Sequence, residues 1–369
     1  MGTNEFIDRR QIMAAGAGLA TAALARDAFA QAPGRKIGYA IVGLGSYATR
    51  QIMPRFKDTE HCRLTALVSG SPEKAATLAA EYGVPARSIY NYQNFDRIAD
   101  NPDVDVVYVI LPNSMHLEYT VRAARAGKHV MCEKPMAISV RECEEMIDAC
   151  KRANRKLMIG YRSRFQAHNV EAIRIARSGE LGPLRTITSE HGFNAGDPTQ
   201  WRLNKALAGG GSLQDIGVYS LNAARYLTGE EPVEVAAIEH TDRSDPRFRT
   251  VEDTINFMLR FPSGAIANCI SAYSSAHNRY RVVGSRGWVE LDPATPYSGH
   301  SMRVRLNNQT ETRELRDIKN QWAGQLDHMA ECIRSGAEPI VDGYEGLKDV
   351  RVIEAIYEAA REGRTVKLA

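Results

Sequence analysis

No two of the chain's six cysteines stand in a CxxC pair; Cys62, Cys132, Cys143, Cys150, Cys269 and Cys332 are scattered along it. That spacing excludes a zinc ribbon and provides no disulfide framework, so no metal is expected. Charge of one sign is lacking too: the formal net charge is +3, and no basic or acidic block runs through the 369 residues. Nucleic acid is therefore not an expected partner. No hydrophobic run is long enough to span a bilayer, so no membrane anchor is expected. Internal repeats and low-complexity linkers are also missing. What remains is 44% hydrophobic residues, enough for one large or two medium domains with proper cores.

Residues 1–32 read as a targeting segment. Asp8-Arg9-Arg10-Gln11-Ile12-Met13 is a twin-arginine pattern, followed by a mildly apolar run to Ala25. Ala28-Phe29-Ala30 is a small-x-small cleavage site, with Ala30-Gln31-Ala32 as a second option. The expectation is export to the periplasm; the alternative is an Ala-rich helix that stays attached to a cytoplasmic protein.

The organising stretch is Ile37 to Ala48. A buried-strand run of Ile, Val and Ala breaks into Gly43-Leu44-Gly45-Ser46-Tyr47-Ala48, a GxGxxA turn that launches a helix. Gly43 permits the tight turn, Gly45 lets backbone N–H groups approach a pyrophosphate, and Ala48 lets helix and strand pack closely. From here to Gly160 strands and helices alternate: a helix over 51–56, strands at 63–69, 104–111, 129–132 and 157–160, helices at 116–126 and 140–153. Such alternation demands a parallel, doubly wound sheet, so residues 33–160 are read as a Rossmann domain. Beyond Tyr161 strand candidates follow one another through turns such as Pro262-Ser263-Gly264, and two helices close the chain. Residues 161–369 are read as an α+β domain with a large, mostly antiparallel open sheet that binds substrate and mediates homo-oligomerisation. The ligand site is expected between the two domains.

The second strand ends Val68-Ser69-Gly70-Ser71, with Lys74 one helical turn on. A carboxylate there would accept from the ribose 2′-OH of NAD; this chain offers a hydroxyl and an ammonium instead, which suits the 2′-phosphate of NADP. Lys134, in Cys132-Glu133-Lys134-Pro135, falls at a carboxyl end of the sheet, where such folds bind ligands. Asp215 and Tyr219 are four apart on the helix expected from Ser212 to Leu227, hence on one face. The run Gly209-Gly210-Gly211 before it permits close approach of a flat ligand. Alcohol oxidation needs a group that takes the hydroxyl proton as hydride leaves carbon; Tyr219 beside the Lys134 ammonium serves, and Asp215 can orient sugar hydroxyls. The alternative for Tyr219 is a core aromatic with its hydroxyl tied up.

These residues carry a family likeness. GLGSYA, Ile110–His116 (ILPNSMH), Gly127–Pro135 (GKHVMCEKP) and Ala208–Asn222 (AGGGSLQDIGVYSLN) resemble the Gfo/Idh/MocA oxidoreductases, and within them the glucose–fructose and aldose–aldose branch. The likeness runs from about Ile37 to about Arg364. It implies tightly held NADP(H) contacted by the glycine turn, Ser69, Gly70, Lys74, Tyr92, Leu111, Asn113, His116, Glu133, Lys134, Arg162, Trp201, Arg202 and Tyr297. It also implies a sugar pocket near Lys134, Asp215, Tyr219, Arg162 and Tyr297. The expected activity is a ping-pong exchange: one aldose gives hydride from C1 and leaves as aldonolactone, and a second aldose or ketose accepts it and leaves as alditol. The rivals are a conventional NADP-dependent sugar dehydrogenase and a non-catalytic NADP-sensing protein. One departure is the short arm, since only Gln31 to Lys36 would precede the first strand after cleavage.

Overall fold

A computed structural model of the protein describes residues 34–368; the twin-arginine segment and its cleavage sites lie outside them. Among the described residues the chain forms two sheets. The first comprises β1 (Ile37–Val42), β2 (Cys62–Val68), β3 (Ile89–Tyr90), β4 (Val106–Val109), β5 (His129–Cys132) and β6 (Leu157–Ile159). All its pairings are parallel, in the order β3-β2-β1-β4-β5-β6. Every residue of β1 is buried, as a strand covered on both faces must be. The strand order reverses between β1 and β4, which opens a crevice at their carboxyl ends, beside the glycine turn.

Helices Pro72–Tyr82, His116–Arg125 and Val140–Arg152 connect these strands. Ser71 and Ser139 cap the first and third by accepting from the backbone N–H of Lys74 and Glu142. The expected helix over 51–56 is not α-helical: a π turn, Ala48–Ile52, passes into a 3-10 stretch, Met53–Asp58. Pro54 has no N–H to give to the preceding turn, so the α ladder cannot close there.

The second sheet contains β7 (Leu184–Gly192), β8 (Glu234–His240), β9 (Thr254–Arg260), β10 (Ile266–Ala272), β11 (His277–Gly284), β12 (Gly287–Leu291), β13 (Met302–Leu306), β14 (Gln309–Thr312) and β15 (Val366–Lys367). Their order is β14-β13-β12-β11-β7-β10-β9-β8-β15, antiparallel throughout except for the parallel pair β7 and β10. The two terminal strands were not expected from sequence. All of β14 is exposed and β15 has two residues, so neither carries an apolar alternation.

Helices Ala167–Arg177 and Val218–Thr228 cover one face of this sheet. Of the closing helices, Gln321–Ser335 returns to the first sheet and Gly343–Glu362 packs on both β6 and β8. The buried Tyr39 hydroxyl donates to the Leu326 carbonyl at 2.8 Å, and Asp327 accepts from the backbone of Glu60 and His61. At the junction, buried Asp349 accepts from Tyr161 Oη, Asn222 Nδ2 and Arg225 Nη1, each at 2.5 Å. That cluster fixes the helix carrying Tyr219 against the last strand of the first sheet. The helix Ser212–Leu227 expected from sequence begins instead as a π turn, Leu213–Gly217, and becomes α-helical from Val218 to Thr228.

Candidate active site

The glycine turn is shaped from both sides. Gly43 has φ +92°, and a Cβ there would collide with the Ile110 carbonyl. A Cβ at Gly45 would meet nothing within 4 Å, so that side of the turn is open, and Ser46 is exposed beside it. Ala48 and Leu44 are buried beneath. Tyr47 Oη accepts from Trp322 Nε1 at 3.0 Å, which ties the turn to the first closing helix. Lys74 Nζ donates to the Leu44 carbonyl at 3.2 Å, so its ammonium stands at the turn. Ser69 Oγ accepts from the Ser71 N–H at 3.1 Å, and Gly70 lies under the Tyr92 ring, 3.1 Å from where a Cβ would stand. This open cradle of backbone N–H groups, with no carboxylate at the end of β2, fits a dinucleotide.

Further along the crevice the residues divide. Asn113 is buried and donates from Nδ2 to the Ala208 carbonyl at 2.8 Å. His116 does not face the crevice. It is wholly buried, with Nδ1 against the carbonyls of Pro135 and Met136 and Nε2 against that of Leu111. Burial holds the ring neutral, so one of these nitrogens donates to a carbonyl and ties two loops together. Glu133 accepts from Tyr108 Oη and from the Lys134 N–H. Burial pushes its pKa up, against the opposing pull of Tyr108 and Lys134.

The Lys134–Pro135 peptide is cis. Lys134 Nζ donates to Asp215 Oδ1 at 3.1 Å and also to the Asp215 carbonyl. Asp215 Oδ2 accepts from Arg202 Nε and from Tyr273 Oη, both at 3.0 Å. Burial alone would raise the Asp215 pKa, but Lys134 and Arg202 outweigh it and hold the carboxyl well below the usual range. Burial would likewise lower Lys134, yet Asp215 and the neighbouring Tyr219 and Glu133 keep it above the ordinary lysine value. Both Asp215 oxygens therefore take protein donors, Oδ1 from Lys134 and Oδ2 from Arg202 and Tyr273, with acceptor capacity left on Oδ1.

Tyr219 lies between two cations. Lys134 Nζ and Arg162 Cζ each stand 5.2 Å from its ring centroid. Its third neighbour is His191, whose ring stacks at 5.7 Å. Tyr297 is 51% exposed and packs on Trp322 and Tyr47, with Arg162 Cζ 4.9 Å from its ring. Trp201 lies against the Arg202 guanidinium at 4.7 Å. The structure thus brings Lys134, Asp215, Tyr219, Arg162, Arg202 and Tyr297 together, with Trp201 beside Arg202.

The three glycines before Tyr219's helix answer to protein, not to a flat ligand. A Cβ at Gly209 would strike Ile138, at Gly210 the Tyr357 hydroxyl, and at Gly211 the Glu252 carbonyl. Tyr273, His191, Tyr108 and Trp322 were missed from sequence, because they reach the site through the register of distant strands and the return of the closing helix. Among the described residues no group of His, Cys, Asp and Glu is arranged to hold a metal, and no helix is long and apolar enough to cross a membrane.

Comparison with known proteins agrees with the two-sheet fold. Residues 37–161 match the oxidoreductase-family NAD-binding Rossmann fold, and residues 175–368 the oxidoreductase-family C-terminal alpha/beta domain. The chain is 69% identical to a crystal structure of aldose-aldose oxidoreductase from Caulobacter crescentus complexed with glycerol, with a TM-score of 0.90 over 90% of this chain and 100% of that one. It is 33% identical to D-xylose 1-dehydrogenase [NADP(+)] of Haloarcula marismortui, over 90% of this chain and 93% of the relative. D-xylose 1-dehydrogenase (NADP(+)) 2 of Haloferax volcanii is 30% identical over 89% of this chain and 99% of the relative. The chain belongs to the Gfo/Idh/MocA oxidoreductase family and is an enzyme built from that family's NAD-binding Rossmann fold and C-terminal alpha/beta domain.

Proposed function

We propose that the protein is an NADP-dependent aldose–aldose oxidoreductase, working by ping-pong exchange with a cofactor that stays bound. The observation that carries this reading is the Tyr219 phenol flanked by Lys134 and Arg162, each 5.2 Å from its ring, beside the glycine turn. Support also comes from the 69% identity to an aldose-aldose oxidoreductase. In this reading residues 33–160 hold the dinucleotide, and residues 161–369 shape the sugar pocket and the contact between copies of the chain. The open turn from Gly43 to Ala48 receives the pyrophosphate, Ser69 and Lys74 receive the 2′-phosphate, and Glu133 and Tyr47 border the reactive end. A bound nicotinamide supplies a hydride acceptor at C–OH and a hydride donor at C=O.

The chain's own groups do the rest. Tyr219 takes the proton of the sugar C1 hydroxyl and returns one to the carbonyl of the acceptor. Lys134 hydrogen-bonds the same sugar oxygen, and Asp215 keeps the ammonium charged and aimed. If residues 1–32 direct export as a twin-arginine signal, the folded protein carries its cofactor to a compartment without an NADP pool. Turnover there requires a second sugar to reoxidise the bound cofactor.

The test is the nicotinamide absorbance of purified protein, with no cofactor added, after mixing with glucose and then with a second sugar. A rise followed by a fall is expected. A change that waits for added NADP would instead mean a conventional dehydrogenase. Silence with every sugar pair, NADP added or not, would favour a nucleotide-sensing protein.

A further inference from the structure

Arg162 opens the 3-10 turn Arg162–Phe165 directly after β6, and its side chain is almost completely buried. Nη1 donates to Gln321 Oε1 at 2.7 Å and to the Pro296 carbonyl at 3.2 Å, and Nη2 donates to the Thr295 carbonyl at 2.7 Å. Every one of these acceptors is neutral. Nε is buried as well and has no hydrogen-bond partner. A guanidinium held in this way carries a charge with no ion-pair partner among the described residues, which costs folding energy unless something else at the site uses it.

The other two cations are differently placed. Lys134 gives hydrogen bonds to both the carboxylate and the carbonyl of Asp215, and Arg202 donates to the same carboxylate. Their charge is shared with Asp215, whereas Arg162 is clamped under the rings of Tyr219, Tyr297 and Trp322, at 5.2, 4.9 and 5.8 Å. The guanidinium is also held in place by its hydrogen bonds to Gln321, Thr295 and Pro296.

We propose that Arg162 is the fixed counter-charge for the Tyr219 oxygen during proton transfer. The proposal rests on the sugar-exchange reading above and adds to it a residue acting through Tyr219. In the oxidative half the C1–H bond breaks, its electron pair leaves as hydride, and the hydroxyl proton passes to the Tyr219 oxygen as C–O becomes C=O. In the reductive half hydride adds to the acceptor carbon, and the same oxygen gives its proton to the forming alkoxide. The Tyr219 oxygen is negative at one end of each transfer, and a preorganised cation there costs no reorganisation when the charge develops. Arg162 is in these terms a positioning residue.

The experiment is a double-mutant cycle on single-turnover rates in the NADP-loaded protein, with wild type, Arg162→Gln, Tyr219→Phe and the double variant. Arg162→Gln should slow both half-reactions roughly 10²–10³-fold while sugar KM moves little. In the Tyr219→Phe background the same change should cost no more than about threefold, because the charge it serves no longer forms. Arg162→Lys keeps a cation and should recover part of the rate, and the uncharged Arg162→Met replaces Arg162→Gln in the cycle if the glutamine variant does not fold. An equal fold-loss in both backgrounds would overturn the proposal and leave Arg162 a packing group, with the function untouched. Near-normal rates in Tyr219→Phe itself would overturn both the proposal and the proton-transfer assignment beneath it.

Discussion

Lys134 and Asp215 form a part-buried pair in which Nζ stands 3.1 Å from Oδ1 and also reaches the aspartate's own carbonyl. Either residue alone would be costly: burial lowers Lys134 and raises Asp215, and each is reversed mainly by the other. Asp215→Asn keeps the shape and removes the counter-charge. Lys134 should then lose its proton more readily, so activity should drop about 10²-fold and fade at a lower alkaline pH than in wild type. A pH–rate profile checks this; an unmoved alkaline limb would mean that Lys134 is held charged by something else.

Tyr219→Phe keeps the ring and the stacking on His191 while removing the hydroxyl. Folding and NADP content should survive, and both half-reactions should fall by ~10²–10⁴. Lys134→Met should damage both as well, less than additively with Tyr219→Phe if the two act as one unit. Loss of the oxidative half alone would show that the two sugars use different proton donors.

Lys74 is exposed and stands at the glycine turn through the Leu44 carbonyl. Lys74→Ala should weaken NADP binding roughly tenfold, the scale of one charge-assisted contact near solvent, and leave NAD binding nearly unchanged. Titration of the cofactor-free protein with each dinucleotide measures this. Equal loss for both would remove Lys74 from any role in reading the 2′-phosphate.

The face of the second sheet away from its helices leaves Ile238 75% exposed, Met258 52% and Ile266 42%, and Ile238 and Met258 line a cavity of about 670 Å³ there. If residues 161–369 carry the contact between copies, as proposed, these grouped apolar side chains are where a second copy would sit. Ile238→Asp with Met258→Asp should shift the protein to a smaller species in sedimentation velocity without loss of helix or strand content. An unchanged mass would place any self-association elsewhere.

Much of the site was legible from local pattern. The glycine turn, the strand leading to Lys134 and the four-residue step from Asp215 to Tyr219 are contiguous signals, and the six-stranded sheet follows from simple alternation. What escaped depends on distant partners. Tyr273 reaches Asp215 only because the turn Leu213–Gly217 packs on β10. Trp322 meets Tyr47 only because the closing helix folds back across the chain. The glycines at 209–211 misled for the same reason: sequence marks that something must come close, without saying that it is Ile138, Tyr357 and Glu252. His116, which the resemblance implies at the cofactor, stands at a helix start among three carbonyls that come from outside its own helix.

The last expectation concerns acid. His191 is wholly buried in β7, with Nδ1 3.0 Å from Ser220 Oγ and Nε2 without a partner. Burial, reinforced by the charges of Arg162 and His277, pushes its pKa down to about 3. The unfolded chain takes up that proton near ~6.5, so at lower pH unfolding binds a proton that the folded state refuses. This residue's share of stability is therefore intact above about pH 6.5 and is lost progressively as pH falls toward about 3. The slope is ~1.4 kcal/mol per pH unit for one proton. His191→Asn removes the titrating ring and keeps a polar group near Ser220. The variant should be less stable at neutral pH, where the packing against Tyr219 is lost, yet its stability should fall less steeply between about pH 6 and pH 4. Urea unfolding at several pH values gives both quantities. A variant whose slope matches wild type would mean that His191 does not titrate on unfolding, and that the acid sensitivity belongs to other buried groups.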